Sequence, residues 1–284
     1  MKLDKSHAYQ FVISLTIGFG IVIIVYASFN LYRSLTAYQV ETMMIRAQEA
    51  EQAGNIEEAL RIRTTIQKTI PDDDENTLKL ARLYLTLKNY PEAEAYTRLY
   101  LEKVPESPEG YMLQGEIHLK LGDVEAANQS FSAVYDQNGS REAAYKLALI
   151  AMGKKEDPLP FLQAAASNPD PYQGSTELLT AWQNAQSERN PVYKDALVAF
   201  HILEADQPYI ALLLLEQIIT DEPEYRDGYY LRGIALAETG NLVDAMESLN
   251  KALEIDPEHQ ATKDALAAIQ GKIGELQEPT PDQQ

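Results

Sequence analysis

The chain has 284 residues, a net charge of −19 and a pI near 4.6, with no cysteine. An acidic balance of this size excludes general nucleic-acid binding, which draws on a basic footprint. The missing thiols exclude disulfides, thiolate zinc sites, iron–sulfur clusters and cysteine nucleophiles, and fit an oxidising compartment.

After a short tail, 1–9, no residue from Phe11 to Tyr32 is charged. That stretch matches the ~20 residues a helix needs to cross a bilayer. Tyr9 and Phe11 mark one end and Phe29 and Tyr32 the other, as aromatic residues do in headgroup regions. A transmembrane helix over 10–33 is expected. A cleavable signal peptide is the rival reading, with Lys2 and Lys5 as its basic region and Val25-Tyr26-Ala27 before the cut. Lys2 and Lys5 also favour a cytoplasmic N-terminus. This reading is of a single-pass membrane protein whose acidic bulk is extracytoplasmic, in a periplasm. Residues 21 to 53 contain no Gly or Pro, so the crossing helix is expected to continue into the first repeat helix.

A fixed period organises most of the remaining chain. Pro71 and Pro105 are 34 residues apart, Gly139 lies another 34 on, and Pro223 and Pro257 are again 34 apart. Gly115, His118, Gly122-Asp123, Ala127, Phe131, Val134 and Gly139 share their offsets with Gly233, Leu236, Gly240-Asn241, Ala245, Leu249, Ala252 and Pro257. Glycine permits the positive φ that ends a first helix, and Asp or Asn suits the next N-cap. A small residue lets the second helix pack closely, and proline stops it. Lys88-Asn89-Tyr90 replaces the glycine turn in one unit, where Tyr84, Ala93 and Pro105 hold the register.

These residues resemble the tetratricopeptide repeat family, with units at 40–73, 74–107, 108–141, 192–225 and 226–259. The resemblance implies an all-α chain: a right-handed α-solenoid of helical hairpins, here preceded by one transmembrane helix. The expected layout is three units over 34–141, an irregular stretch over 142–191, two units over 192–259, a capping helix over 260–277 and a disordered tail over 278–284. Within the irregular stretch, Gly153-Lys154-Lys155 reads as a turn, Asp157-Pro158-Leu159-Pro160 starts a short helix, and 173–188 reads as an extra helix with Leu178, Leu179 and Trp182. Such a break either changes curvature and offers a binding face or is a decayed repeat; both readings stand.

No catalytic constellation is found. His7, His118, His201 and His259 lie in separate segments. Asp72-Asp73-Asp74-Glu75 lacks the alternating spacing of a calcium loop and suits a helix N-terminus. No enzyme activity, metal or cofactor is expected. By analogy with the family, the concave, protein-binding face carries Gln48, Glu51, Lys79, Arg82, Leu85, Glu116, Leu119, Lys120, Phe200, Leu203, Glu204, Tyr230, Ile234 and Ala237. The family's grip on a C-terminal carboxylate needs basic or amide groups where Met44, Gln48, Glu109 and Leu113 stand, so chaperone-tail binding is not expected. A mixed apolar and acidic face suits an apolar helix or a somewhat basic extended segment.

The expected partners are therefore other proteins of a membrane or envelope complex, with the bilayer held through 10–33 and no nucleic acid bound. The implied function is a membrane-anchored scaffold or assembly factor, similar to bacterial envelope proteins built as one N-terminal helix plus repeats. The alternatives are a permanent structural subunit of a large membrane complex and a receptor for basic peptides.

Overall fold

The computed structural model describes the backbone of residues 5–277, and the side chains of 19–274 apart from 20, 32, 33 and 36. Every regular element among the described residues is a helix: α1 Lys5–Gln52, α2 Ile56–Thr69, α3 Asp74–Thr86, α4 Tyr90–Lys103, α5 Pro108–Leu121, α6 Val124–Asn138, α7 Arg141–Gly153, α8 Leu159–Ala165, α9 Ser175–Gln186, α10 Pro191–Glu204, α11 Pro208–Asp221, α12 Arg226–Glu238, α13 Leu242–Ile255 and α14 Gln260–Gln277. Two compact units divide the chain, Met1–Tyr96 and Thr97–Gln284.

In the first unit, α1 runs unbroken for 48 residues. Its apolar side chains Phe19, Ile21, Val22, Ile23, Ile24, Val25, Tyr26, Phe29 and Leu31 are all more than half exposed. The expected transmembrane span is not found: among the described residues no helix is long and apolar enough to cross a membrane. The side chains of 10–18, 20, 32 and 33 in the expected span lie outside the described residues, as do residues 278–284, the expected tail.

Further along α1 the pattern becomes one-sided. Val40 and Ala47 are buried against Ile62 and Ile66 of α2, with Met43 and Met44 packed beside them. Positions 40, 43, 44 and 47 share one helical face. The polar seam between α1, α2 and α3 is closed by Arg63, which is only 6% exposed. Its guanidinium donates to Glu51 and to the Asn76 Oδ1. Asn76 returns hydrogen bonds to the Arg63 carbonyl (3.1 Å) and the Gln67 Oε1 (2.8 Å). A buried charge satisfied on several sides costs far less than an orphaned one.

In the second unit, α5–α6 and α12–α13 are hairpins built to one rule. Gly115 lies under the Phe131 ring, where an added Cβ would sit 2.5 Å from Cε1. Gly233 lies against Leu249 in the same way, with 2.6 Å to Cγ. Gly122 ends α5 at φ 81°, and Asp123 caps α6 by accepting from the Ala126 N–H at 2.9 Å. Ala127, Phe131 and Val134 are buried on the inner side of α6.

The intervening stretch obeys a different rule. Helix α8 has only seven residues, too short to cover α7. Helices α10 and α11 therefore pack directly on α7, while α9 packs on α8 and α10. Gly153, expected in a turn, is instead the last residue of α7. It is pressed against Ile210 of α11, where an added Cβ would meet Ile210 Cγ2 at 2.5 Å and its carbonyl oxygen at 2.8 Å. Lys155 takes the left-handed conformation, at φ 58°. Its ammonium reaches Asp195 of α10 (2.8 Å) and Asp221 of α11 (3.7 Å). The resulting core joins Leu147, Ile150, Leu162, Ile202, Ile210 and Leu214. At the far end, Ile269 of α14 is buried against Leu236, Ala245 and Leu249.

Candidate protein-binding site

The residues expected on a concave face fall in both units. Gln48 is exposed on α1, and Lys79, Arg82 and Leu85 are half-buried on α3. In the second unit Glu116 and Lys120 are half-exposed on α5, Phe200 and Glu204 are exposed on α10, and Tyr230 and Ile234 are half-buried on α12. Two of the expected residues are corrected. Leu119 is 4% exposed and Leu203 is 9% exposed, and both belong to the main core. Both side chains are packed into that core, so they hold the fold and offer a ligand little surface. Tyr230 is held edge-on against His259, centroids 5.4 Å apart.

Around α7, α9 and α10 the second unit opens a hollow of about 300 Å³, lined by Tyr145, Gly174, Glu177, Leu178, Ala181, His201, Glu204 and Ala205. A second hollow shares Glu177, Ala181 and His201 with it and continues along α9 past Thr180 and Asn184. The cause is the short α8: α9 lies to one side, so its flank and that of α10 do not close over the end of α7. His201 Nδ1 sits 2.8 Å from Glu204 Oε2, which fixes that carboxylate at the rim. Tyr145 and Tyr172 pack at 5.1 Å, tilted by 45°.

This neighbourhood is negative. The Tyr172 phenol is pushed up to about 12, first by burial and then by Glu142, Glu116 and Tyr145. The Tyr145 phenol is raised by burial and by Glu177. Removing a proton from either ring would place another negative charge beside carboxylates in a partly dry site. Elsewhere in the unit, Glu238 is raised by burial and by Asp206, against the pull of Lys120. Lys120 itself is paired with Asp206 at 3.1 Å.

Sequence reasoning names Glu204 and Glu116 here and misses Glu142, Tyr145, Tyr172, Glu177 and His201 as lining or bordering groups. In the sequence Tyr145 reads only as apolar packing. The signal for Tyr172 is local: Pro171-Tyr172-Gln173-Gly174 is a turn, and its tyrosine folds back toward α7. Nothing local announces that α9 and α10 stand beside it. Among the described residues no group of three or more His, Asp or Glu is arranged to hold a metal ion.

Tetratricopeptide repeat family profiles match residues 50–117 and 226–259. The human protein named "FK506-binding protein-like" is 38% identical over 68 residues, which is 23% of this chain and 20% of that protein. Its rat counterpart is 37% identical over the same length. The chain thus spans about a fifth of the length of the curated relatives it matches. A solved tetratricopeptide repeat protein from Parabacteroides merdae is similar over 81% of this chain and 98% of its own, at 12% identity and a TM-score of 0.49. A complex of the yeast Sti1 TPR2AB domain with pHSP90 is similar over 84% and 86%, at 17% identity and a TM-score of 0.37.

Proposed function

We propose that this tetratricopeptide-repeat chain is a non-enzymatic scaffold or assembly factor, anchored at a membrane, that holds other proteins of an envelope complex. The observation that carries the binding role is the open, tyrosine-lined and acidic hollow of the second unit, where α7, α9 and α10 leave side chains without a covering helix. Tetratricopeptide repeats in general mediate protein–protein interaction, and an aromatic surface with a polar rim suits that use. What supports the anchor is the uncharged run Phe11–Tyr32 and the exposure of Phe19 to Leu31 all round α1, since a helix apolar on every side needs an apolar surrounding. Lys2 and Lys5 orient it with the N-terminus in the cytoplasm and the repeats outside.

A photo-cross-linking amino acid at Phe200, which is 44% exposed, tests the binding role in intact membranes. The expected result is a discrete cross-linked protein; none at Phe200 or at neighbouring exposed sites of α9 and α10 sinks the scaffold. Extraction with alkaline carbonate tests the anchor, because a peripheral chain leaves the membrane and a spanning one stays. Protease protection in sealed vesicles decides which side the repeats face. A permanent structural subunit is the second reading, and it differs in co-migrating stoichiometrically with its complex after detergent extraction.

A further inference from the structure

We propose that the hollow between α7, α9 and α10 receives an arginine side chain from a basic segment of the partner protein, with Tyr145 as its wall and Glu177 and Glu204 as its counter-charges. This deepens the scaffold reading and rests on it. Three observations define the occupant. The first is size: at about 300 Å³, the hollow is at the small end of ligand pockets, which run from about 300 to 1,000 Å³. Together with its continuation along α9 it has room for one long side chain and part of the segment that carries it.

The second is charge. The residues lining this hollow and its continuation include Glu177, Glu204 and His201, and no Lys or Arg. Three lysines of the unit are paired with other acids: Lys120 with Asp206, Lys154 with Glu125, and Lys155 with Asp195. Tyr172, packed on Tyr145, has the Glu142 carboxylate 3.5 Å from its hydroxyl, so a further acid borders the hollow and favours a cation from outside.

The third is shape. A hollow lined by Tyr145 together with Glu177 and Glu204 suits a guanidinium, which can stack on an aromatic ring and present planar N–H donors to acids. An ammonium lacks that planar match. Leu178, Ala181 and Leu197 give the stem apolar ground to lie on. A neutral or acidic segment would leave the Glu177 carboxylate without a counter-charge as water is excluded.

The test uses the full chain in detergent micelles at low salt and a fluorescein-labelled twelve-residue peptide with three arginines among serines and leucines. Its counterpart carries glutamine in place of each arginine. Anisotropy should show the arginine peptide bound and the glutamine peptide bound at least tenfold more weakly. Glu177→Gln with Glu204→Gln should weaken the arginine peptide by about tenfold, as loss of two part-exposed ion pairs of up to ~1 kcal/mol each implies. Glu222→Gln with Glu247→Gln removes the same charge at exposed sites away from the hollow and should change binding by less than about twofold. Failure of the wild-type chain to prefer arginine overturns the proposal, as does an equal effect of the two double variants. A surviving cross-link at Phe200 in either case leaves the scaffold standing, whereas a lost cross-link with intact arginine preference removes the scaffold reading alone.

Discussion

The hairpins α5–α6 and α12–α13 and the stretch α7–α9 use the same residue types to opposite ends. In the hairpins a glycine in the first helix receives a side chain from the very next helix: Gly115 takes Phe131, and Gly233 takes Leu249. In α7 the glycine receives Ile210 from α11, a helix that arrives only after α8, α9 and α10. Close approach within a hairpin makes a repeating unit. Close approach between helices far apart in the chain breaks the repeat and leaves α9 at the side, which is where the hollow comes from. In the irregular stretch the departure from period and the open hollow occur together.

The comparison can be broken at several points. Phe131→Ala should cost most, about 3–5 kcal/mol, as for other fully buried aromatics, while Trp182→Ala on the half-covered α9 should cost well under half of that; urea denaturation followed by circular dichroism measures both. Gly153→Ala should destabilise by about 1–3 kcal/mol through overpacking against Ile210, despite the better helix propensity of alanine. A rise in stability for that variant would mean that α11 does not press on α7. Gly122→Ala should lose about 1 kcal/mol, because φ 81° is strained for any residue with a Cβ, and the Tyr209 ring already lies 3.0 Å from where that Cβ would go.

Smaller effects sharpen the contrast by sign. Gly271 in α14 has no atom within 4 Å of an added Cβ, so Gly271→Ala should stabilise by up to about 1 kcal/mol. Finally, absorbance at 295 nm should show Tyr172 and Tyr225 ionising late, since both are pushed up to about 12. Their folded values lie above the unfolded value near 10, so the folded state holds the extra protons between those limits. Stability from this source is complete below pH 10 and falls as the pH rises toward 12. If all tyrosines titrate together near pH 10, the negative, partly dry setting of Tyr172 is not there.

The parts of the fold that are legible in the sequence are those fixed by neighbours along the chain. The turn at Gly122-Asp123 needs a positive φ and then a cap, and both residues sit side by side. The start of α8 at Leu159 and the helix over Ser175–Gln186 likewise follow from nearby prolines and apolar spacing. Leu119 and Leu203 show the limit. Projecting a concave face by analogy points them toward a ligand, but both are packed into the main core with residues distant in the chain. The hollow depends on Tyr145, Glu177 and Glu204, which are spread over about 60 residues, and no local pattern encodes that meeting. The role of Gly153 is hidden for the same reason: as a letter it reads as a turn, and only the arrival of α11 makes it a contact.

The unbroken α1 has one more consequence, which concerns phase. From Lys5 to Gln52 there is no turn or break in which rotation could be lost, so the direction in which Phe19 to Leu31 point is geared to the direction in which Val40 and Ala47 meet Ile62 and Ile66. Each residue of an α-helix advances its face by about 100°. Adding a single residue between Leu31 and Val40 would thus turn whatever grips the apolar end by more than a quarter of a revolution against the first repeat, whereas adding seven would nearly restore it. The helix acts as a keyed shaft: it fixes how far the first hairpin stands from its apolar end and also which way that hairpin faces.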